Sequence, residues 1–410
     1  MATRSHALAS ELSERLAATR RLSLDLAAPL SEADANLQPF ADASPAKWHL
    51  AHTTWFFETF VLRDHVAGYR PFDERFHYLF NSYYDAEGER HARRRRGMLS
   101  RPSLAEVRDW RAHVDEALAR AMPTLAPAAL ELVELGIQHE QQHQELLLAD
   151  LLAAFAENPL EPAYGDLPRP ACHAVEPLGW LPGRAGKVEV GAGAAGFAFD
   201  CERPRHEVIL TPHAIAARPV TNREWTEFIA DGGYRTASLW LSDGWDWVRR
   251  EGIEAPLYWH GDGSMFTLGG RRDIDGAAPV AHISHYEADA FARWAGARLP
   301  TEAEWEDFAS SADPWLGHQL DEAGAVVPRP GGALFGDIWQ WTASAYLPYP
   351  RFQMAPGAVG EYNGKFMSGQ MVVKGASCAT PRGHSRASYR NFFPPAARWQ
   401  FTGARLARDS

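Results

Sequence analysis

The chain is expected to be an α+β protein of two domains, a four-helix bundle over residues 1–157 and a compact mixed domain over 183–410, joined by a linker over 158–182. Three observations predict this. Long amphipathic segments with helix-start signals fill the first part. Prolines crowd positions 159–182. Short strand-like pieces, punctuated by Gly, Pro and Asp, follow. A length of 410 residues makes two or more domains the default, and a 46% hydrophobic content is enough to build two cores.

Within the bundle, Leu8, Leu12, Leu16 and Ala17 recur at helical spacing in a first helix from about Ala7 to Leu26. Ser44-Pro45 opens a second, from Ala46 to about Val66. Residues 68–101 carry no sustained period and are expected to form a long loop, either functional or disordered. Ser103-Leu104-Ala105-Glu106 has the form of a capping box for a third helix, to about Ala121. A fourth runs from Pro127 to Ala156. Beyond the linker, strands are expected at Lys187–Val190 and His206–Leu210. Helices are expected at Asn222–Ala230, Glu287–Ala295 and, behind the cap Thr301, Glu302–Phe308.

A formal charge of -11 argues against general affinity for nucleic acid or anionic membrane. No window approaches the ~18 uninterrupted apolar residues of a membrane helix. The odd, scattered cysteines Cys172, Cys201 and Cys378 do not make a disulfide framework, so a reducing, cytoplasmic location is expected. Cys201 and Cys378 have no local His or Asn partner and read as structural. The basic run Arg90–Arg96 lacks interleaved aromatics; it reads as a solvated loop with one arginine turned inward to a substrate carboxylate.

The chemistry centres on His139-Glu140-Gln141-Gln142-His143. Histidines four apart on a helix differ by about 40° in azimuth and lie roughly 5–6 Å apart at Cβ, so both imidazoles reach one metal. The spelling matches the zinc-protease motif, with Glu140 as general base, but no third ligand follows at a useful distance. An upstream third ligand is available in Trp48-His49-Leu50-Ala51-His52, because two helices of a bundle can aim side chains at a shared point. Three neutral imidazoles suit Fe(II), Zn(II) or Cu alike. Near the C-terminus, Asn391-Phe392-Phe393 reads either as core packing or as an aromatic seat for a quaternary ammonium, with the amide positioning a carboxylate.

Together with Phe80-Asn81-Ser82-Tyr83-Tyr84, these motifs resemble the DinB-like helical domain of the ergothioneine-biosynthesis sulfoxide synthases and the related selenoneine synthases. Arg218-Pro219-Val220-Thr221-Asn222, Leu299-Pro300-Thr301-Glu302-Ala303-Glu304-Trp305, Gly336-Asp337-Ile338-Trp339 and Thr402-Gly403-Ala404-Arg405-Leu406 resemble the C-type-lectin-like domain of formylglycine-generating enzymes and sulfatase-modifying factors. The resemblance implies a nonheme Fe(II) held by His52, His139 and His143, with His49 a non-ligand. The open positions would take the imidazole of hercynine (trimethylhistidine), a thiol or selenosugar donor, and O2. The product would carry a C–S or C–Se bond at imidazole C2. The same mapping implies hercynine contacts from Gln142, Asn391, Phe392 and Phe393, a proton donor in Tyr83 or Tyr84, and a donor-carboxylate anchor in Arg93.

One departure matters. Relatives that use γ-glutamylcysteine carry an acidic residue with a basic partner after the asparagine, where Phe393-Pro394-Pro395 stands here; cysteine or a selenosugar is the expected donor. The rivals are a zinc hydrolase and a non-catalytic binding module of the same fold.

Overall fold

The computed structural model describes residues 2–169, 175, 177–357, 360 and 362–410, with side chains from residue 8 onward. These form two compact units, the first built chiefly from Met1–Gly165 and the second from Asp166–Asp321, Ala325–Pro356 and Gly360–Ser410. Cys172 lies outside the described residues; Cys201 and Cys378 are buried and form no disulfide with each other. No helix among the described residues is long and apolar enough to cross a membrane.

Unit one is helical: α1 (Ala2–Ala27), α2 (Ala46–Phe57), α3 (Arg75–Phe80), α4 (Leu104–Ala121) and α5 (Pro127–Ala156). The local signals explain the starts. Ser103 Oγ accepts from Glu106 N while the Glu106 carboxylate accepts from Ser103 N, closing a capping box on α4. Pro127 occupies the first turn of α5, where its missing N–H costs nothing. Helix α2 runs on into a π-helical segment, Glu58–Arg63. Helix α5 is buried on several sides, through Leu130, Val133, Ile137, His139, Glu140, Leu147, Leu148 and Leu151, which places it at the middle of the unit. Gly136 lets α2 approach it: a Cβ there would lie 2.4 Å from the Phe57 ring.

Residues 68–101 are more ordered than their lack of period implies. Besides α3 they hold 3-10 turns at Asp85–Glu87 and Arg93–Met98, pieces too short to show a period. Bonds to the π-helical segment, bonds within the stretch and packing on α4 hold them. The Glu58 carboxylate accepts from Tyr69 Oη and Phe72 N, and Asn81 bonds the backbone of Tyr84 and Gly88. Phe76 and Phe80 pack on Trp110.

Unit two is mixed. Strand β1 (Trp180–Pro182) pairs with β4 (His213–Ala216), which pairs in turn with β11 (Ala407–Asp409), all antiparallel; β2 (Gly186–Val190) and β3 (His206–Leu210) form a hairpin-like pair. A second pair joins β5 (Ser264–Thr267) to β6 (Gly270–Asp273). A four-stranded sheet runs in the order β10 (Thr402–Gly403), β7 (Trp339–Ala345), β8 (Met371–Gly375), β9 (Asn391–Phe393), leaving β9 at an edge. Helices α6 (Asn222–Ala230), α7 (Ser242–Glu251), α8 (His285–Trp294) and α9 (Glu302–Ala309) complete it.

Capping boxes at Thr221, Ser284 and Thr301 account for three of these helices. Helix α7 is absent from the sequence reading, because Ser242-Asp243-Gly244 looks like a turn and no side-chain cap marks its start. Strand β1 falls inside the stretch read as linker; its partner β4 is remote in sequence, so no local signal announces it. Many of the tryptophans are packing residues, with Trp225, Trp305, Trp339 and Trp341 fully buried.

Candidate metal centre

Helices α2 and α5 bring His52, His139 and His143 together. Their ring centroids lie 5.0 Å (His52–His139), 4.9 Å (His52–His143) and 4.6 Å (His139–His143) apart. One nitrogen from each ring lies within 4.8 Å of the others. His52 Nδ1–H donates to the Phe80 carbonyl at 2.7 Å, and the ring is sandwiched by Trp48 and Trp55, one turn on either side along α2. That fixes which nitrogen faces the cluster. His52 Nε2 is buried and finds no hydrogen-bond partner among the described residues.

His143 Nδ1 lies 2.8 Å from His49 Nδ1, and His49 Nε2 lies 3.1 Å from Asp150 Oδ2. With Nδ1 so engaged, Nε2 is the His143 nitrogen available to a metal. Burial pushes all three imidazoles down from their ordinary value, His139 to about 3, and the neighbouring rings lower His52 and His143 further. Neutral imidazole is the metal-binding form. An electrically neutral set of three nitrogens, buried at His52 and His139 and half-buried at His143, around an orphaned Nε2 fits a divalent transition metal.

Glu140 does something else. Its carboxylate is fully buried and ion-pairs with Arg20 (3.0 Å) and Arg111, with Ser23 Oγ donating as well. Arg111 also donates to Thr53 Oγ1, and Arg20 to Asp115 and Thr54. One cluster therefore ties α1, α2, α4 and α5 together. Burial alone would raise the Glu140 pKa, but the two guanidinium charges, with hydrogen bonds from Ser23 and Arg111, hold it at about 2. A carboxylate so committed cannot serve as the general base of a zinc protease, and that rival reading loses its residue.

A DinB superfamily model matches residues 15–147, and a sulfatase-modifying factor enzyme 1-like domain matches residues 179–324. The chain is 33% identical over 439 aligned positions to the hercynine oxygenase of Mycolicibacterium smegmatis, covering 97% of this chain and 98% of that one. It is 34% identical to the hercynine oxygenase of Mycobacterium tuberculosis, with coverage of 89% and 91%. The chain belongs to the hercynine oxygenase family. A more distant match, ergothioneine biosynthesis protein 1 of Schizosaccharomyces pombe, is 24% identical and covers 74% of this chain and 43% of that one. The family's two domains are both present here, a helical DinB-like unit and a C-type-lectin-like, sulfatase-modifying-factor unit.

The other expected site residues of this hercynine oxygenase family chain divide. Gln142 is half-buried on α5, three positions from His139 and one before His143, so its side chain leaves the helix about 60° from the first and about 100° from the second. Tyr84 is fully buried among Trp55, Phe56 and Phe60, and Tyr83 stacks on it at 5.1 Å, half-buried. Burial raises the Tyr83 hydroxyl above its ordinary range although Arg93 and Arg96 oppose this.

Arg93 is exposed, and its guanidinium donates to the Asp42 carbonyl. The inward arginine is Arg96. It is 3% exposed, donates to Ser44 Oγ (2.9 Å) and Ser82 Oγ (3.0 Å), and stacks on Trp48 at 3.3 Å. Nothing in a run of four arginines distinguishes it; only the turn Arg93–Met98 decides which one points inside.

In unit two, strand periodicity separates the three β9 residues. Asn391 and Phe393 share one face and Phe392 takes the other. Phe392 is already stacked on Tyr346 at 4.1 Å, whereas Phe393 stands edge-on to Trp341 (6.5 Å) and Trp399 (6.0 Å). Asn391 Oδ1 accepts from Phe392 N.

Proposed function

We propose that His52, His139 and His143 bind Fe(II) and that the chain joins a sulfur or selenium donor to imidazole C2 of hercynine at the expense of O2. The observation that carries this reading is the neutral three-histidine cluster, buried at His52 and His139 and half-buried at His143, in a chain matched almost end to end by proteins named hercynine oxygenase. Three protein ligands leave an octahedral ion three further positions, and Fe(II) supplies the one-electron chemistry that O2 requires. The chain's own residues do the rest. Trp48, Trp55 and Phe56 pack around the histidines and keep water away. Gln142, one residue before His143 on α5, orients the hercynine imidazole. Phe393 and its tryptophan neighbours seat the trimethylammonium, with Asn391 beside it for the carboxylate; Phe392 serves β9 by packing on Tyr346.

Tyr83 is our choice of proton donor over Tyr84. Its raised pKa keeps the proton on Oη at neutral pH, its ring is half-buried, and its electrostatic neighbours Arg93 and Arg96 lie on the loop that flanks the histidines. Arg96 suits the carboxylate of an amino-acid donor. It is a buried cation with hydroxyl partners, and its Nε has no hydrogen-bond partner among the described residues. This favours cysteine over a selenosugar, which has no carboxylate.

The test is a competition assay: the Fe(II)-reconstituted protein with hercynine, O2 and an equal mixture of cysteine, γ-glutamylcysteine and a selenosugar, read by mass spectrometry. No O2 uptake with any donor overturns the reading, and a dominant C–Se product overturns the choice of cysteine. Arg96→Lys should raise the KM for the donor roughly tenfold or more, the loss of about 1.5–3 kcal/mol of charge-assisted hydrogen bonding, while Arg93→Ala leaves it nearly unchanged. Phe393→Ala should weaken hercynine binding by about 0.5–2 kcal/mol of cation–π attraction; an unchanged dissociation constant removes Phe393 from the site.

A further inference from the structure

Resting on the metal reading above, we infer that His49 and Asp150 are positioning residues that fix the tautomer of His143 and load carboxylate charge onto that one ligand.

The direction of each hydrogen bond follows from the far end. Asp150 Oδ2, as a carboxylate oxygen, can only accept, and it already accepts from Ser44 N at 2.8 Å. The proton between Asp150 and His49 therefore sits on His49 Nε2, at 3.1 Å. A neutral imidazole protonated at Nε2 is an acceptor at Nδ1. His49 Nδ1 faces His143 Nδ1 at 2.8 Å, so the proton of that contact belongs to His143. His143 is thereby held as the Nδ1–H tautomer with its Nε2 lone pair directed away from the relay. The tautomer of one residue is set by a carboxylate two hydrogen bonds away.

The relay is built into the fold. His49 is 3% exposed and Asp150 is 5% exposed. Asp150 lies seven residues beyond His143 on α5, two turns along the same face, while His49 lies one turn before His52 on α2. The spacing that aims His52 and His143 at one point therefore also aims their helical neighbours His49 and Asp150 at each other. The two ends of the triad differ as a result. His52 Nδ1–H rests on the neutral Phe80 carbonyl, whereas His143 Nδ1–H leans, through His49, on a full negative charge. Charge transmitted through a hydrogen bond raises the basicity of the opposite nitrogen, so His143 becomes the strongest donor of the set.

The test is made on the full-length protein with metal alone, so it needs no hercynine and no turnover. Fe(II) and, as a spectroscopic probe, Co(II) are titrated anaerobically into wild type, His49→Phe, His49→Gln and Asp150→Asn, with circular dichroism and Tm of each metal-free form recorded. His49→Phe keeps the ring volume and loses both hydrogen bonds; it should weaken metal binding by roughly 10–100-fold and move the Co(II) visible bands. His49→Gln, whose amide can accept from His143 and donate to Asp150, should recover much of that loss. Asp150→Asn keeps the shape and removes the charge, giving an intermediate affinity, and it carries the test if His49→Phe does not fold. A folded His49→Phe with affinity within about two-fold of wild type and unchanged bands overturns the relay. So does a loss that His49→Gln shares in full. A wild-type protein that binds neither ion overturns the metal reading itself, an outcome separate from failure of the relay.

Discussion

Alanine in place of His52, His139 or His143 should abolish hercynine-dependent O2 uptake and weaken Fe(II) binding by more than roughly 100-fold, the upper end of what losing a supporting contact costs. The three rings are not interchangeable with their neighbours: Trp48, Trp55 and Phe56 around them are apolar, and the adjacent His49 is engaged with His143 and Asp150. The metal-free variants should nevertheless fold. His52→Ala removes a buried ring whose Nε2 has no hydrogen-bond partner, so the cavity it leaves is partly offset by relief of an unmet polar atom. The check is an anaerobic Fe(II) titration beside an oxygen-electrode assay and a thermal melt. A variant that still couples O2 uptake to hercynine would displace that histidine from the metal.

The second large effect concerns stability. Glu140→Gln should destabilise the fold by about 3–5 kcal/mol, because it leaves Arg20 and Arg111 buried against a neutral amide. A zinc-protease glutamate would behave the other way, with activity lost and stability kept. The pH dependence gives an independent check. Glu140 is held at about 2 against an ordinary 4.5, so its contribution is fully present above the ordinary value and is lost as pH falls through about 2. Wild type should lose denaturant resistance over that window, and Glu140→Gln should be flatter across it. Urea melts at a series of acidic pH values measure both; parallel curves would remove Glu140 from the network's energetics.

Much of the fold was legible locally. The capping boxes at Ser103, Thr221 and Thr301, the Pro127 start and the 3.6-residue spacing of leucines place five of the helices within a few residues of where they stand. The signals fail where a segment is short or held by distant partners. Helix α3 and the turn Arg93–Met98 have no period to show, α7 opens on turn-like residues, and β1 depends on a strand about thirty positions away.

The His139–His143 pair is equally a local fact, since helical geometry alone places both rings on one face. The identity of their companions is not. His49 meets His143 across 94 residues of chain and Asp150 across 101, and the distance between α2 and α5 is set by the bare backbone at Gly136 against Phe57. Tertiary packing also turned Glu140 toward two arginines, chose Arg96 over Arg93, and put Phe392 and Phe393 on opposite faces of β9. Sequence by itself determined most of the helices and the ligand pair, because those follow from forces acting over three or four residues. Which charges meet, and which nitrogen carries the proton, depends on elements packed together from distant parts of the chain, where burial makes every unpaired polar group costly and so selects its partner.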